Sequence, residues 1–145
     1  MLFVGGVAEP MWRRLRQPSA PPSWLDAADF EYFVAQFRRS GFQGGLNWYS
    51  VMDFDWHATP QLEGRKLSQP VCFIAGSADP VLRWFGGPKG AAAQVSGACQ
   101  LAPEFHFLDA GHWVQQEKHA EVSAALLGFL ATHAALFARV RGSML

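Results

Sequence analysis

The chain has 145 residues, of which 50% are apolar, 14% aromatic and 17% charged, enough apolar material for one buried core and too little charge for wholesale disorder. Twelve basic and twelve acidic residues balance to a formal net charge of zero, and the densest basic cluster is only Arg13-Arg14-Leu15-Arg16, so the footprint of a nucleic-acid binder is absent. Two cysteines, Cys72 and Cys99, have neither metal-ligand spacing nor the number for a disulfide framework; with no apolar run of membrane-spanning length and no signal-peptide pattern at the start, they indicate free thiols in a cytoplasmic protein without a membrane partner.

The first 24 residues carry four prolines (Pro10, Pro18, Pro21 and Pro22) and read as an irregular connection. Asp26 is a candidate N-cap, with Asp29 three residues on as a variant of the capping box. Phe30, Phe33, Val34 and Phe37 then fall at the spacing of an amphipathic helix, and Gly41 after Arg38-Arg39-Ser40 is its expected stop. A second helix is expected from about Leu46 to Trp56, after the Gly44-Gly45 pair and before Thr59-Pro60.

Beyond Pro70 the period changes. Val71-Cys72-Phe73-Ile74-Ala75 is a continuous apolar run ending at Gly76, the pattern of a strand covered on both faces, and Phe105-His106-Phe107-Leu108 is a second. The intervening residues suffice for a crossover with a helix around Gly90 to Val95. A last helix is expected from about Gln116 to Leu136, with Val122, Leu126, Leu127, Phe129 and Leu130 on its apolar face. Strand, crossover, strand and helix make an α/β arrangement with a parallel sheet, and two such strands want further neighbours.

Asp79 follows the first strand in Gly76-Ser77-Ala78-Asp79-Pro80-Val81, and His112 follows the second in Asp109-Ala110-Gly111-His112-Trp113. Ligands of open α/β sheets bind beyond the carboxyl ends of the strands. If the two strands are neighbours, the carboxylate can orient the imidazole, leaving its other nitrogen to accept a proton from water. Either residue alone reads first as a turn former; the acid-then-base order at two strand ends is what favours catalysis. His57, His119 and His133 read as helix-surface residues, and His106 as an alternating strand residue without a spaced ligand partner.

Ser40-Gly41-Phe42-Gln43-Gly44-Gly45-Leu46-Asn47-Trp48-Tyr49 resembles the cap-domain motif of the soluble epoxide hydrolases. Gly76 to Val81 is similar to that family's acid loop, Gly111-His112-Trp113 with Gln115-Gln116-Glu117-Lys118 to its histidine loop, and Gly6-Val7-Ala8-Glu9 to a short stretch of its cap. The resemblance covers nearly the whole chain and implies a partial α/β-hydrolase fold. Residues 1–66 would be a helical cap remnant, and residues 67–145 the last two parallel strands and C-terminal helix of the core. It implies that Tyr49 is one of two cap tyrosines donating to the epoxide oxygen, that Asp79 is the acid and His112 the base, and that Trp48 and Trp113 contact a small apolar epoxide. On helical spacing alone, Tyr49 reads as a packed aromatic beside Trp48, and only the motif reverses that.

The implied reaction needs no metal or other cofactor. An aspartate attacks an epoxide carbon while the phenols stabilise the alkoxide, and water activated by the His–Asp pair hydrolyses the resulting ester. The sequence departs from the pattern in one respect above all: it contains neither Gly-x-Asp-x-Gly nor Gly-x-Ser-x-Gly, so no nucleophile elbow. The other cap tyrosine is expected just ahead of Met1, and Tyr32 does not replace it. The expectation is therefore a C-terminal half, inactive alone, whose partners are an N-terminal complementing chain or further copies of itself. Two other readings stay open: a non-catalytic module binding an apolar ligand or partner, and a haloalkane dehalogenase-like hydrolase that shares the acid and base without needing Tyr49.

Overall fold

The computed structural model of the chain describes residues 13, 16 and 18–136. The similarity noted at Gly6-Val7-Ala8-Glu9 lies outside the described residues. By contacts the chain separates into two compact units, Met1–Gly41 and Phe42–Leu145.

In the first unit, helix α1 spans Ala27–Ser40 and begins and ends where the sequence says it should. The Asp26 carboxylate accepts from the Asp29 N–H at 2.7 Å, satisfying one of the donors that a helix start leaves open. At the other end Gly41 takes φ +65°, a left-handed conformation that glycine adopts without a Cβ penalty, and its N–H closes the last turn onto the Phe37 carbonyl at 2.8 Å.

The second unit opens with two short helices rather than one. Helix α2 spans Gln43–Ser50 and α3 spans Met52–Ala58, with Val51 at the break. Neither has a side-chain cap hydrogen bond at its start, and a β-branched valine holds the junction. A single 3₁₀ turn, Pro60–Leu62, follows. The chain then pairs with the end of the coming crossover: Leu67 N–H donates to the Ala98 carbonyl and Gln100 N–H to the Leu67 carbonyl, each at 2.8 Å, beside the buried Cys99.

Strand β1, Cys72–Gly76, and strand β2, Glu104–Leu108, pair in parallel, with Cys72 opposite Glu104 and Gly76 opposite Leu108. The crossover holds two helices, α4 (Pro80–Trp84) and α5 (Gly87–Gly97), where sequence reading located only the second. Helix α6, Val114–Glu117, and helix α7, His119–Thr132, follow β2. The expected single last helix is thus broken at Lys118.

Side chains alternate across the sheet. Phe73, Phe105 and Phe107 meet on one face with ring centroids 6.0 to 6.1 Å apart. Ala75, Leu82 and Ala91, the small buried core, pack against Phe73 and Phe107. The expectation of strands covered on both faces is met in part: Ala75 and Gly76 are buried, while the rest of β1 and all of β2 are half-buried. Among the described residues the sheet has two strands, so each keeps one unpaired edge. No helix of the described residues is long and apolar enough to cross a membrane.

The location of the core sets the expected response to truncation. Leu82→Ala, at a site only 5% exposed, should lower the unfolding free energy by about 2–4 kcal/mol. The same change at Leu127, 68% exposed, should cost under about 0.5 kcal/mol. Urea unfolding of the two variants beside the parent checks the contrast; equal losses would place the core elsewhere.

Candidate functional site

The two strands end side by side, and the loops that leave them are bonded to each other. Ser77 N–H donates to the Leu108 carbonyl at 2.7 Å and Ala78 N–H to the Ala110 carbonyl at 3.0 Å. The approach is so close that a Cβ on Gly76 would overlap the backbone carbonyls of Ala110 and Gly111. Only glycine fits at the end of β1.

Asp79 leaves this junction as the N-cap of α4. Its Oδ1 accepts from the Val81 N–H at 2.8 Å, and Pro80 occupies the first turn, where a missing N–H is harmless. One carboxylate oxygen is thereby fixed and the other is left for a partner. His112 supplies it: Nδ1 lies 3.0 Å from Asp79 Oδ2. A carboxylate can only accept, so the geometry selects the imidazole tautomer with its proton on Nδ1 and leaves Nε2 as a lone-pair base. The Asp79 side chain is 12% exposed and that of His112 54%. The acid is therefore sheltered while the base is open to an incoming molecule.

Around the pair lies a cavity of about 320 Å³, with Phe73, Leu82, Phe85 and Val114 among its apolar lining and Asp79 and His112 also in its wall. An apolar cleft with a few convergent polar groups is the usual form of a small-molecule site. Trp113 stands beside it, its ring edge-on to the His112 ring at 5.4 Å between centroids and half exposed. Trp48 and Tyr49 are placed differently. Both lie on α2, each 75% exposed, and neither lines this cavity or shares a ring contact or hydrogen bond with Asp79 or His112 among the described residues. The structure brings together Asp79, His112 and Trp113, and leaves Trp48 and Tyr49 apart from them.

Sequence reading attached no role to Glu117 beyond its place in a motif. Its carboxylate accepts from the Gly111 N–H at 2.7 Å and from the Trp113 N–H at 3.1 Å, the two residues that flank His112. The spacing carried a signal: a glutamate in the first turn after a helix N-cap can reach back to backbone donors, as in a capping box.

His106 needs a correction. It has ligand-type neighbours after all: Cys72, Glu104 and His106 bring their candidate ligand atoms within 4.8 Å of one another. Strand register brings Cys72 opposite Glu104 across the sheet, while Glu104 and His106 share one face of β2 at a spacing of two. The trio occupies the amino-terminal end of the strands, opposite Asp79 and His112. Its chemistry is that of a satisfied pair rather than an open metal site. Glu104 and His106 are already bonded at 2.6 Å, and burial together with the Glu104 carboxylate pushes the Cys72 thiol above its ordinary value, favouring the protonated form that ligates poorly. His57 and His119 are exposed helical residues, as expected, whereas His133 caps the end of α7 with its ring 4.7 Å from that of Phe129. Both cysteines are free thiols.

Comparison with known proteins gives a consistent set of relatives. The chain is 44% identical over 117 residues to epoxide hydrolase A of Mycobacterium tuberculosis, covering 81% of this chain and 35% of that protein. It is 34% identical over 133 residues to the bifunctional epoxide hydrolase 2 of Sus scrofa, covering 92% of this chain and 21% of that one. Among solved structures, epoxide hydrolase A of Mycobacterium thermoresistibile superposes with a TM-score of 0.73 at 42% identity, over 81% of this chain and 36% of that chain. Potato (Solanum tuberosum) epoxide hydrolase I superposes with a TM-score of 0.68 at 28% identity, over 79% and 38%. No family model matches. The chain spans about a third of the length of epoxide hydrolases A and B of Mycobacterium tuberculosis.

The Gly76 contact makes a prediction of sign. Gly76→Ala forces backbone apart and should destabilise by about 1–3 kcal/mol, separating Asp79 from His112. Gly128→Ala, inside α7 where a Cβ meets nothing within 4 Å, should instead stabilise by about 0.5–1 kcal/mol. Urea unfolding of both variants is the check, and matching signs would refute the packing argument.

Proposed function

We propose that this chain, similar to an epoxide hydrolase over 81% of its length, is part of an epoxide hydrolase of the α/β-hydrolase fold, with Asp79 and His112 as the acid–base pair for hydrolysing a small apolar epoxide to a vicinal diol once a nucleophile absent from these 145 residues is supplied. The observation that carries this reading is the 3.0 Å contact between His112 Nδ1 and Asp79 Oδ2 at the carboxyl ends of two adjacent parallel strands.

The reaction follows from what each group can do. A carboxylate nucleophile attacks an epoxide carbon, the C–O bond breaks, and the oxygen leaves as an alkoxide that takes a proton from a phenol. Tyr49 fits that donor role by its place in the cap motif. His112 Nε2 then removes a proton from water, which attacks the ester carbonyl. The acyl C–O bond breaks, the diol leaves as its oxygen takes the proton back from the His112 imidazolium, and the nucleophilic carboxylate is regenerated with one oxygen from water. Asp79 holds the imidazole in the required tautomer and balances its positive charge. Trp48 and Trp113 are read as walls for the apolar part of the substrate. In the same reading, residues 1–66 belong to the cap and residues 67–145 to the core. Two free thiols, one of them buried, support a cytoplasmic location.

The test is completion. The chain alone should show no turnover of a simple aryl epoxide above background. Joined to, or co-expressed with, the N-terminal part of a related epoxide hydrolase carrying its nucleophile elbow, it should form diol. His112→Ala in that assembly should lower the rate by at least about 10³-fold. Turnover by the chain alone, abolished by His112→Ala, would overturn the division of labour. Apolar-ligand binding that survives loss of both Asp79 and His112 in a completed but inert protein would favour a binding module.

Tyr49 separates the two hydrolytic readings. Tyr49→Phe in the completed enzyme should slow epoxide opening by about 10²–10³-fold, as loss of one oxyanion donor does, and should leave a haloalkane substrate unaffected. Steady-state rates on both substrates measure this; a selective gain on haloalkanes in the parent would point to a dehalogenase.

A further inference from the structure

Glu117 holds the backbone on both sides of His112. Its Oε2 accepts from the Gly111 N–H at 2.7 Å and its Oε1 from the Trp113 N–H at 3.1 Å. A helix cap alone asks for less: Trp113 is the N-cap of α6, and one bond to its N–H closes the helix start. The second bond reaches two residues further back, beyond the helix, to a glycine whose backbone has the most freedom to lose. Among the described residues no cation lies within 4.0 Å of the Glu117 carboxylate, so both oxygens serve the loop.

His112 needs such a hold. Its side chain is 54% exposed, so packing alone does not set its rotamer. What orients the ring is a single hydrogen bond to Asp79 and an edge contact with Trp113. Each depends on where the backbone between Gly111 and Trp113 runs. The loop's start is already pinned, with the Ala110 N–H donating to the Leu108 carbonyl at 2.8 Å and the Ala110 carbonyl accepting from Ala78 at 3.0 Å. Its remainder is pinned by Glu117. A Cβ at position 111 would come within 3.0 Å of Glu117 Oε1, which shows how tightly the carboxylate lies against the loop.

We propose that Glu117 is a positioning residue for His112, a carboxylate clamp on the two flanking N–H groups that keeps Nδ1 on Asp79 and so keeps Nε2 the free base. Charge-assisted hydrogen bonds to backbone donors are the strong ones, which suits a part that must hold a catalytic loop against thermal motion. The assignment rests on the reading of His112 as the base, but its geometry can be tested without any substrate.

The experiment is imidazole ¹⁵N NMR with amide hydrogen exchange on the 145-residue chain, comparing the parent with Glu117→Gln, Glu117→Asp and the control Glu121→Gln. Glutamine keeps the size of the side chain but replaces one acceptor oxygen with an NH₂ group, so one of the two bonds must break. The parent and the control should show His112 in the Nδ1–H tautomer. In Glu117→Gln the two tautomers should average, and protection of the Gly111 and Trp113 amides should fall at least about tenfold, the measure of a lost local hold, while amides of β1 and β2 stay protected. Glu117→Asp, which keeps both oxygens, should fall between the parent and Glu117→Gln. An unchanged His112 tautomer in Glu117→Gln would overturn the proposal. So would loss of the β1–β2 amides in both Glu117 variants, which would make Glu117 a residue of the fold instead. Neither readout uses an epoxide, so failure of the clamp and failure of the hydrolase reading are separate results.

Discussion

The site depends on how closely two strand ends approach. Gly76, the last residue of β1, sits against the carbonyls of Ala110 and Gly111 with no room for a methyl group. That contact, with the Ser77 and Ala78 hydrogen bonds beside it, is what brings a carboxylate and an imidazole 33 residues apart in the chain within hydrogen-bond distance. The parallel register alone would put the two side chains at the same end of the sheet. The missing Cβ puts them in contact. Everything chemical about the pair then follows from local rules: capping fixes one oxygen of Asp79, the other selects the tautomer of His112, and the Glu117 carboxylate holds the loop on which His112 rides.

Features set by short-range physics were legible in the sequence. The N-cap at Asp26 and the glycine stop at Gly41 need only neighbours within a turn, and both ends of α1 fall where those residues require. The two strands were visible as apolar runs between turn residues; the crossover length allowed them to pair in parallel but did not require it. Asp79 and His112 were readable because strand ends in an open α/β sheet are privileged positions. Less legible were the breaks at Val51 and Lys118. Apolar residues continue at helical spacing through the first, and no proline or glycine marks either position. The Cys72–Glu104–His106 cluster was invisible for a different reason. A parallel register is a long-range fact, and residues 72 and 104 carry no local sign that they face each other. Glu117 lay between these cases: its spacing from Trp113 was local, but its bond to Gly111 depends on a loop that bends back over the helix start.

The cavity beside the pair carries a further consequence. Phe73, Ile74, Ala75 and Gly76 all line it. Consecutive strand residues point to opposite faces of a sheet, so no cavity on one face can touch four in a row through their side chains. A cavity of 320 Å³ lined by all four therefore reaches the backbone of β1 as well as its side chains, and among the described residues the edge of β1 away from β2 has no strand partner. A further parallel strand paired at that edge would satisfy the backbone groups left open there and bring its own carboxyl end beside that of β1. The edge of β1 that lacks a partner among the described residues belongs to the strand that leads into Asp79, so a strand added there would extend both the sheet and the row of strand ends at which the acid–base pair sits.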